Sequence, residues 1–293
     1  MTRHPPRPWL LSLAGFAALS LAALPAAADV EFYGVTDSSL VHFDMTTHTA
    51  NTVAPLTVGG GALNLLQDCD FDGSGTLWAT RFGGLGGFPP TTVSEAYRID
   101  INTGIGTLQS SYGSGAELFS LAYRSSNSTF YSINVSGGTT TGHLVTTNMT
   151  AGTVTTVAGV PHNLPGPILV DAVAFAPNGT LYGVWNSSTS PFGGLDYKLV
   201  TFNLNTGLGS VIGSIAPGLT FNSLRFDSAG TAYTVESNTG NVYTVNLATG
   251  QGTVLFAGGS TAVGIRGIGF IPAPGTTVLA GLGALFIARR RRR

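Results

Sequence analysis

The chain has 293 residues, of which only 9% are charged, and 41 are glycine. Between residues 29 and 275, six basic side chains stand against fourteen carboxylates, a formal −8, and the other seven arginines sit at the two ends. Grip on a phosphate backbone comes from Lys and Arg, so this balance argues against a nucleic-acid partner. Cys69 is the only cysteine, so no intrachain disulfide can staple the fold.

The chain opens with Arg3, His4 and Arg7, a mostly apolar run over residues 9–24, and Ala26, Ala27 and Ala28. Charged, apolar, then small is the order of a secretory signal peptide, which predicts that residues 1–28 are removed. The competing reading is an N-terminal anchor, and the alanine-rich cleavage site argues against it. Three short strand patterns follow, at 32–35, 39–45 and 51–56.

Four segments then align: 67–80 (QDCDFDGSGTLWAT), 119–133 (FSLAYRSSNSTFYSI), 171–184 (DAVAFAPNGTLYGV) and 222–235 (NSLRFDSAGTAYTV). Their shared threonines, Thr76, Thr129, Thr180 and Thr231, are 53, 51 and 51 residues apart. Each segment is an apolar strand, a turn of small and amide residues, and a second strand, as a hairpin requires. A further hairpin follows each, at 96–108, 143–157, 199–211 and 241–254, built on an Asn/Ala-Thr-Gly turn or a one-residue-longer variant. Four antiparallel strands per unit of about 50 residues predict propeller blades rather than a solenoid, whose units are shorter. The early strands at 32–56 lack a first strand, and 263–270 looks like a first strand without the rest. Joined, they make a fifth blade closed by both ends of the body, which hides the sheet edges. The expected fold is all-β, a five-bladed β-propeller over residues 29–271, with six blades as the alternative. The repeat is similar to those of the broad family of extracellular bacterial propellers.

This topology brings the starts of the first strands to one mouth of the axial channel. Gln67, Phe119, Asp171, Asn222 and Arg266 each stand four residues before a first-strand aromatic, so they should share one ring. Convergent polar groups in a concave mouth make a candidate ligand site, with Asp171 expected there as a hydrated carboxylate. The competing reading is a water-filled channel. Two long loops, 80–95 and 187–197, should flank this mouth and carry Phe82 and Phe192, each in a Phe-Gly-Gly-Leu run suited to stacking on a sugar face. They serve equally as length variants sealed by their own Phe and Leu.

Asp68, Asp70 and Asp72 before Gly73 imitate the start of a calcium loop, but Ala79 stands where the bidentate glutamate is needed. The histidines show no ligand spacing, and no cofactor is expected. Five Asn-X-Ser/Thr triplets read as turns rather than glycosylation acceptors.

The last 22 residues carry Pro272, Ala273, Pro274 and Gly275, a 13-residue apolar stretch over 276–288, and then Arg289, Arg290, Arg291, Arg292 and Arg293. A short apolar segment closed by a basic cluster stalls during export with the arginines on the cytoplasmic side. The tail resembles the PEP-CTERM sorting signal, with Ala273 in place of the family's central glutamate. That resemblance implies residues 272–293 as a sorting tail, the export machinery and an exosortase-like enzyme as partners, and membrane contact through the tail before processing.

Three functions fit these residues. The first is a non-catalytic protein of the cell envelope or extracellular matrix, with polysaccharide or other matrix components as partners. The second is a carbohydrate-binding propeller. The third is a glycoside hydrolase, which needs two carboxylates about 5–10 Å apart, whereas Asp171 alone stands on the ring with Asp68 one position deeper.

Overall fold

A computed structural model describes residues 31–83, 93–113, 115–135, 142–157, 164, 170–187 and 195–272. The proposed leader and the tail beyond Pro272 lie outside the described residues. In chain order the strands begin with β1 (Glu31–Val35), β2 (Ser39–Asp44) and β3 (Thr49–Pro55), then a short hairpin of β4 (Thr57–Val58) and β5 (Gly61–Ala62). The next unit is β6 (Leu66–Phe71), β7 (Leu77–Gly83), β8 (Val93–Ile99) and β9 (Gly106–Ser111). It is followed by β10 (Ala122–Arg124), β11 (Thr129–Asn134), β12 (His143–Asn148) and β13 (Thr153–Thr156). A fourth unit is β14 (Val170–Phe175), β15 (Leu181–Asn186), β16 (Tyr197–Phe202) and β17 (Gly209–Ser214). The last is β18 (Arg225–Phe226), β19 (Ala232–Val235), β20 (Asn241–Val245) and β21 (Gly252–Ala257), after which β22 (Gly267–Phe270) ends the body.

Each unit is a four-stranded antiparallel sheet, and the fifth sheet has the order β22-β1-β2-β3. The chain is therefore a five-bladed propeller whose first blade is completed by the last strand. Phe32 pairs with Phe270, and Val35 with Gly267. The closing strand is shorter than the sequence pattern 263–270. Gly264 turns the chain at a φ of 77° and the 3-10 turn Ser260–Ala262 precedes it, so pairing starts only at Gly267. No helix among the described residues is long and apolar enough to cross a membrane.

The core is divided as the blades are. One cluster joins Val35 and Leu40 of the first blade to Leu66, Phe71 and Tyr97 of the second. Another joins Phe32 and Phe43 to Val235, Val242 and Phe256, across the closure. Removing this apolar surface from water is the main drive for folding, and it is distributed over the interfaces between blades rather than gathered in one centre.

The rim adds a second contact of fixed geometry. The turns between third and fourth strands hold a positive φ at His48, Gly104, Gly152, Gly207 and Gly250. At Gly104 and Gly152 a side chain would strike the preceding blade at the carbonyls of Pro55 and Ser111. The Thr-Gly turn recurs because backbone meets backbone there. In the first blade His48 replaces glycine, and its ring stacks on Phe256 of the last blade at 5.1 Å.

Candidate functional site

The start of the inner strands is where the blades depart from regular pairing. In β6, Leu66 and Asp68 face consecutive partners, Arg81 and Thr80, so Gln67 is an extra, bulged residue. Asp171 is bulged in β14 in the same way, between Val170 and Ala172. The third and fifth blades repeat the device before their short inner strands. Leu118 bridges Asn134 and Ala122 pairs with Tyr131, so four steps on the inner side oppose three. Phe221 and Arg225 relate to Glu236 and Tyr233 likewise. A bulge re-aims a side chain, and here bulges in four blades turn Gln67, Phe119, Asp171 and Asn222 toward the axis.

Those four line one cavity of about 310 Å³ together with Arg266, Asn186, Tyr197 and Thr220. The structure thus brings the whole sequence-derived ring together. Phe82 lies in β7 opposite Ser94, at the same end of its blade, and Phe192 falls outside the described residues. The strand residues Asn186 and Tyr197 flank the second long loop, and both reach the cavity. Leu65, just before β6, is held at a φ of 60°. This is a strained conformation for a bulky residue, and its carbonyl accepts the Gln67 amide at 3.3 Å.

Electrostatically the mouth differs from its expectation at Asp171. Asp171 is not a freely hydrated carboxylate: desolvation pushes it up to about 7, with the Arg266 charge pulling the other way. It keeps some contact with solvent because the cavity is open, yet protein surrounds it on the remaining sides. Burial also raises the Tyr197 hydroxyl, and the Asp171 charge adds to the shift. Arg266 gives its Nε and Nη2 hydrogens to the two Asp37 oxygens at 3.0 and 3.2 Å.

Below the mouth the channel is bridged by Arg225. Its side chain is 4% exposed. Nη1 donates to the Val173 carbonyl at 2.8 Å and Nη2 to the Leu121 carbonyl at 2.6 Å. Nη2 also donates to Cys69 O and, at 3.1 Å, to Asp68 Oδ1. Nε lies 3.2 Å from Asp70 Oδ1, an ion-pair contact outside hydrogen-bond geometry. One guanidinium, carried by the fifth blade, therefore touches the inner segments of the second, third and fourth. The carboxyls are saturated from their far sides: Asp68 accepts the N–H groups of Cys69 and Leu121 at 2.8 and 2.9 Å, and Asp70 those of Phe71 and Tyr123 at 2.9 and 2.7 Å. Two buried carboxyls share one cation, so desolvation outweighs the guanidinium's pull and pushes Asp68 up to about 7, with Asp70 raised as well. The first blade takes part through Gly267, where an added Cβ would overlap Asp68 Oδ1 and Cys69 N.

This arrangement answers the calcium reading. Asp68 and Asp70 turn inward to Arg225, while Asp72 stays in the turn, accepting from Ser74, Thr76 and Trp78. The three do not converge, and no group of three His, Cys, Asp or Glu side chains among the described residues is disposed to hold a metal. Sequence reasoning missed Arg225. The available signal was its register: six positions before Thr231, it aligns with Asp70, six before Thr76. Opposite charges at one level of two inner strands can meet on the axis.

The far end of the channel is of another character. Tyr123, Phe175, Phe226 and Phe270 line a second cavity of about 300 Å³, and Pro272 lies at it. Polar and aromatic mouths thus occupy opposite ends of the inner strands, with Arg225 between them.

No protein-family model matches this chain, and no curated protein matches its sequence. Solved structures do. A crystal structure of a nidogen/laminin complex aligns over 84% of this chain and 99% of its own, at 9% identity and a TM-score of 0.50. TolB from Acinetobacter baumannii aligns over 83% and 67% at 14% identity and a TM-score of 0.45. A gluconolactonase from Xanthomonas campestris aligns over 82% and 70% at 12% identity and a TM-score of 0.44. At these identities the likeness concerns the propeller fold.

Proposed function

We propose that this chain is an exported, non-catalytic propeller of the cell envelope or extracellular matrix, delivered through residues 1–28 and sorted through 272–293, whose polar mouth holds a neutral polyhydroxyl ligand. The observation carrying the mouth reading is the fate of the carboxylates. Asp171 is the one carboxyl lining the mouth cavity among the described residues, because Asp68 is locked beneath it on Arg225. Asp37, at the rim, is held by Arg266. Glycoside hydrolysis needs a facing pair of carboxylates, one to protonate and one to attack or activate water, and this arrangement favours binding over cleavage. Amides from Gln67, Asn186 and Asn222, hydroxyls from Tyr197 and Thr220, and the flat face of Phe119 suit hydrogen bonding and stacking against a sugar-like ligand.

The address rests on the two ends of the sequence. The body hands the chain over to the tail at Pro272, on the aromatic end of the channel, so a tail held at a membrane leaves the polar mouth open to the outside.

Two measurements test the reading. A neutral-glycan array should give saturable binding that Asp171→Ala with Arg266→Ala weakens tenfold or more, as loss of charged hydrogen bonds implies; binding unchanged in that double variant moves the site elsewhere. Intact-mass analysis of envelope protein should show a start near Asp29, and deletion of the five terminal arginines should misplace the protein. A soluble protein retaining Met1 and an intact tail refutes the export reading.

A further inference from the structure

The end of the channel opposite the polar mouth carries a cation that the fold leaves without a partner. Arg124 ends the inner strand β10, one residue after the aromatic Tyr123. Asp72 and Asp227 stand at the same place in their blades, directly after Phe71 and Phe226. Each of these aspartates closes its own turn. Asp72 accepts the Thr76 N–H at 3.1 Å and Trp78 Nε1 at 2.9 Å, and Asp227 accepts the Thr231 N–H at 2.8 Å and the Tyr233 hydroxyl at 3.2 Å. An arginine has only donors and cannot do this. The third blade has a turn one residue longer, and the Arg124 side chain takes no part in it.

The guanidinium lies instead over the Phe175 ring of the fourth blade, 5.5 Å from its centre. A Cβ added to Gly179 in the next turn would lie 4.0 Å from Nη2. A ring face attracts the cation but takes none of its N–H hydrogens. Among the described residues no group accepts from this side chain, and its Nε is buried without a hydrogen bond. Arg81, Arg225 and Arg266 each have a carboxylate within 3.4 Å, and Arg98 is exposed to water. Leaving a buried donor unmade costs free energy, so the position calls for an acceptor that the chain does not supply.

The surroundings select that acceptor. Arg124 and Phe175 line the cavity of about 300 Å³ with Tyr123, Pro177, Ile271 and the exposed Ser125. Ligand pockets run from about 300 to 1,000 Å³, so this one has room for a single ring. Arg124 is the one Lys or Arg lining it, and the body is acidic overall, which favours an occupant with one negative charge. Asp227, the carboxyl at the cavity, is buried and committed to its own turn, so it does not take the place of a ligand on Arg124. Tyr123 and Phe175 are half-buried and, with Pro177 and Ile271, offer apolar surface, while the Ser125 hydroxyl holds no hydrogen bond within the protein. A carboxylate matches the fork of a guanidinium. We propose that the aromatic end of the channel is a second binding site, which takes a small ring-bearing monocarboxylate with its carboxylate on Arg124. Arg225 bridges the channel between the two ends, so the sites are separate and take different ligands, a neutral polyhydroxyl compound at one and an organic acid at the other.

The test titrates the full chain with sodium benzoate and with sodium glucuronate at millimolar concentration. At least one should bind saturably and shift the amide resonances of Arg124, Ser125 and Gly179, leaving those of Gln67, Asp171 and Asn222 in place. The neutral isosteres benzamide and glucuronamide should bind at least tenfold more weakly. Arg124→Met should keep the Tm of the parent and weaken acid binding tenfold or more, whereas Arg124→Lys, which keeps the charge and loses the fork, should fall between. Equal affinity for acid and amide, or unchanged binding in Arg124→Met, would overturn the proposal. Inorganic phosphate bound as tightly as either acid would show a bare charge site and overturn it as well. Shifts confined to Gln67, Asp171 and Asn222 would remove this site and leave the mouth reading standing. An absence of shifts with both acids would also remove it.

Discussion

Two arginines of this chain each meet aspartate, and their surroundings make them different objects. Arg225 and Asp68 are 4% and 0% exposed, with each polar atom of the carboxylate also satisfied by backbone. Arg266 and Asp37 are 40% and 53% exposed and meet at 3.0 Å. The closer geometry belongs to the exposed pair, yet the energetic weight belongs to the buried one. Water screens Arg266 and competes for its hydrogens, whereas no water is at hand to replace what Arg225 supplies. The channel is therefore rigid at its waist and adaptable at its polar mouth, as suits a ligand site carried on a fixed scaffold.

Replacing Arg225 with Met is the largest expected break in this picture. It leaves Asp68 and Asp70 buried without their cation, and breaking such a pair from one side typically costs about 3–5 kcal/mol. Denaturant unfolding should show that loss with an unchanged m-value. A variant as stable as the parent would mean that the waist is held by apolar packing alone.

Gly267→Ala approaches the same waist without removing a charge. The added methyl overlaps Asp68 Oδ1 and the backbone of Cys69, and overpacking of this kind costs about 1–3 kcal/mol. Because Gly267 pairs with Val35 in the closing strand, amide exchange should quicken in both Glu31–Val35 and the strand around Asp68. Exchange altered in the first blade only would separate ring closure from the plug.

The mouth should report itself through pH. The Asp171 carboxyl is raised to about 7 in the folded protein, above its unfolded value of about 3.9. The folded state then holds the proton more tightly, so the stability it contributes is complete below the unfolded pKa. It is lost as pH rises through about 7. Relative to Asp171→Asn, the parent should lose stability between about pH 4 and 7 and level off above that, measured as the difference in unfolding midpoints. A flat difference would mean that Asp171 is hydrated after all.

Arg266→Met should have the smallest effect on folding, below about 1 kcal/mol, as for exposed pairs generally. Its effect should fall on the mouth instead. A large loss of stability here would erase the distinction between the two arginines.

Much of this was legible in the sequence because it is local and repeated. The turn threonines 51–53 residues apart and the Thr-Gly outer turns specify four-stranded units of about 50 residues, and the split first blade specifies that they close into a ring. The mouth residues were legible for the same reason: a fixed offset from the first-strand aromatics places Gln67, Phe119, Asp171, Asn222 and Arg266 at one level, and the structure puts all five in one cavity. Repetition determined the architecture and the level of the ring. Tertiary structure alone decided which charges meet there. Arg225 finds Asp68 across 157 residues, Arg266 finds Asp37 across 229, and desolvation by neighbouring blades sets the proton affinity of Asp171. None of these follows from periodicity, since each depends on distances across the axis and on how much water the closed ring admits.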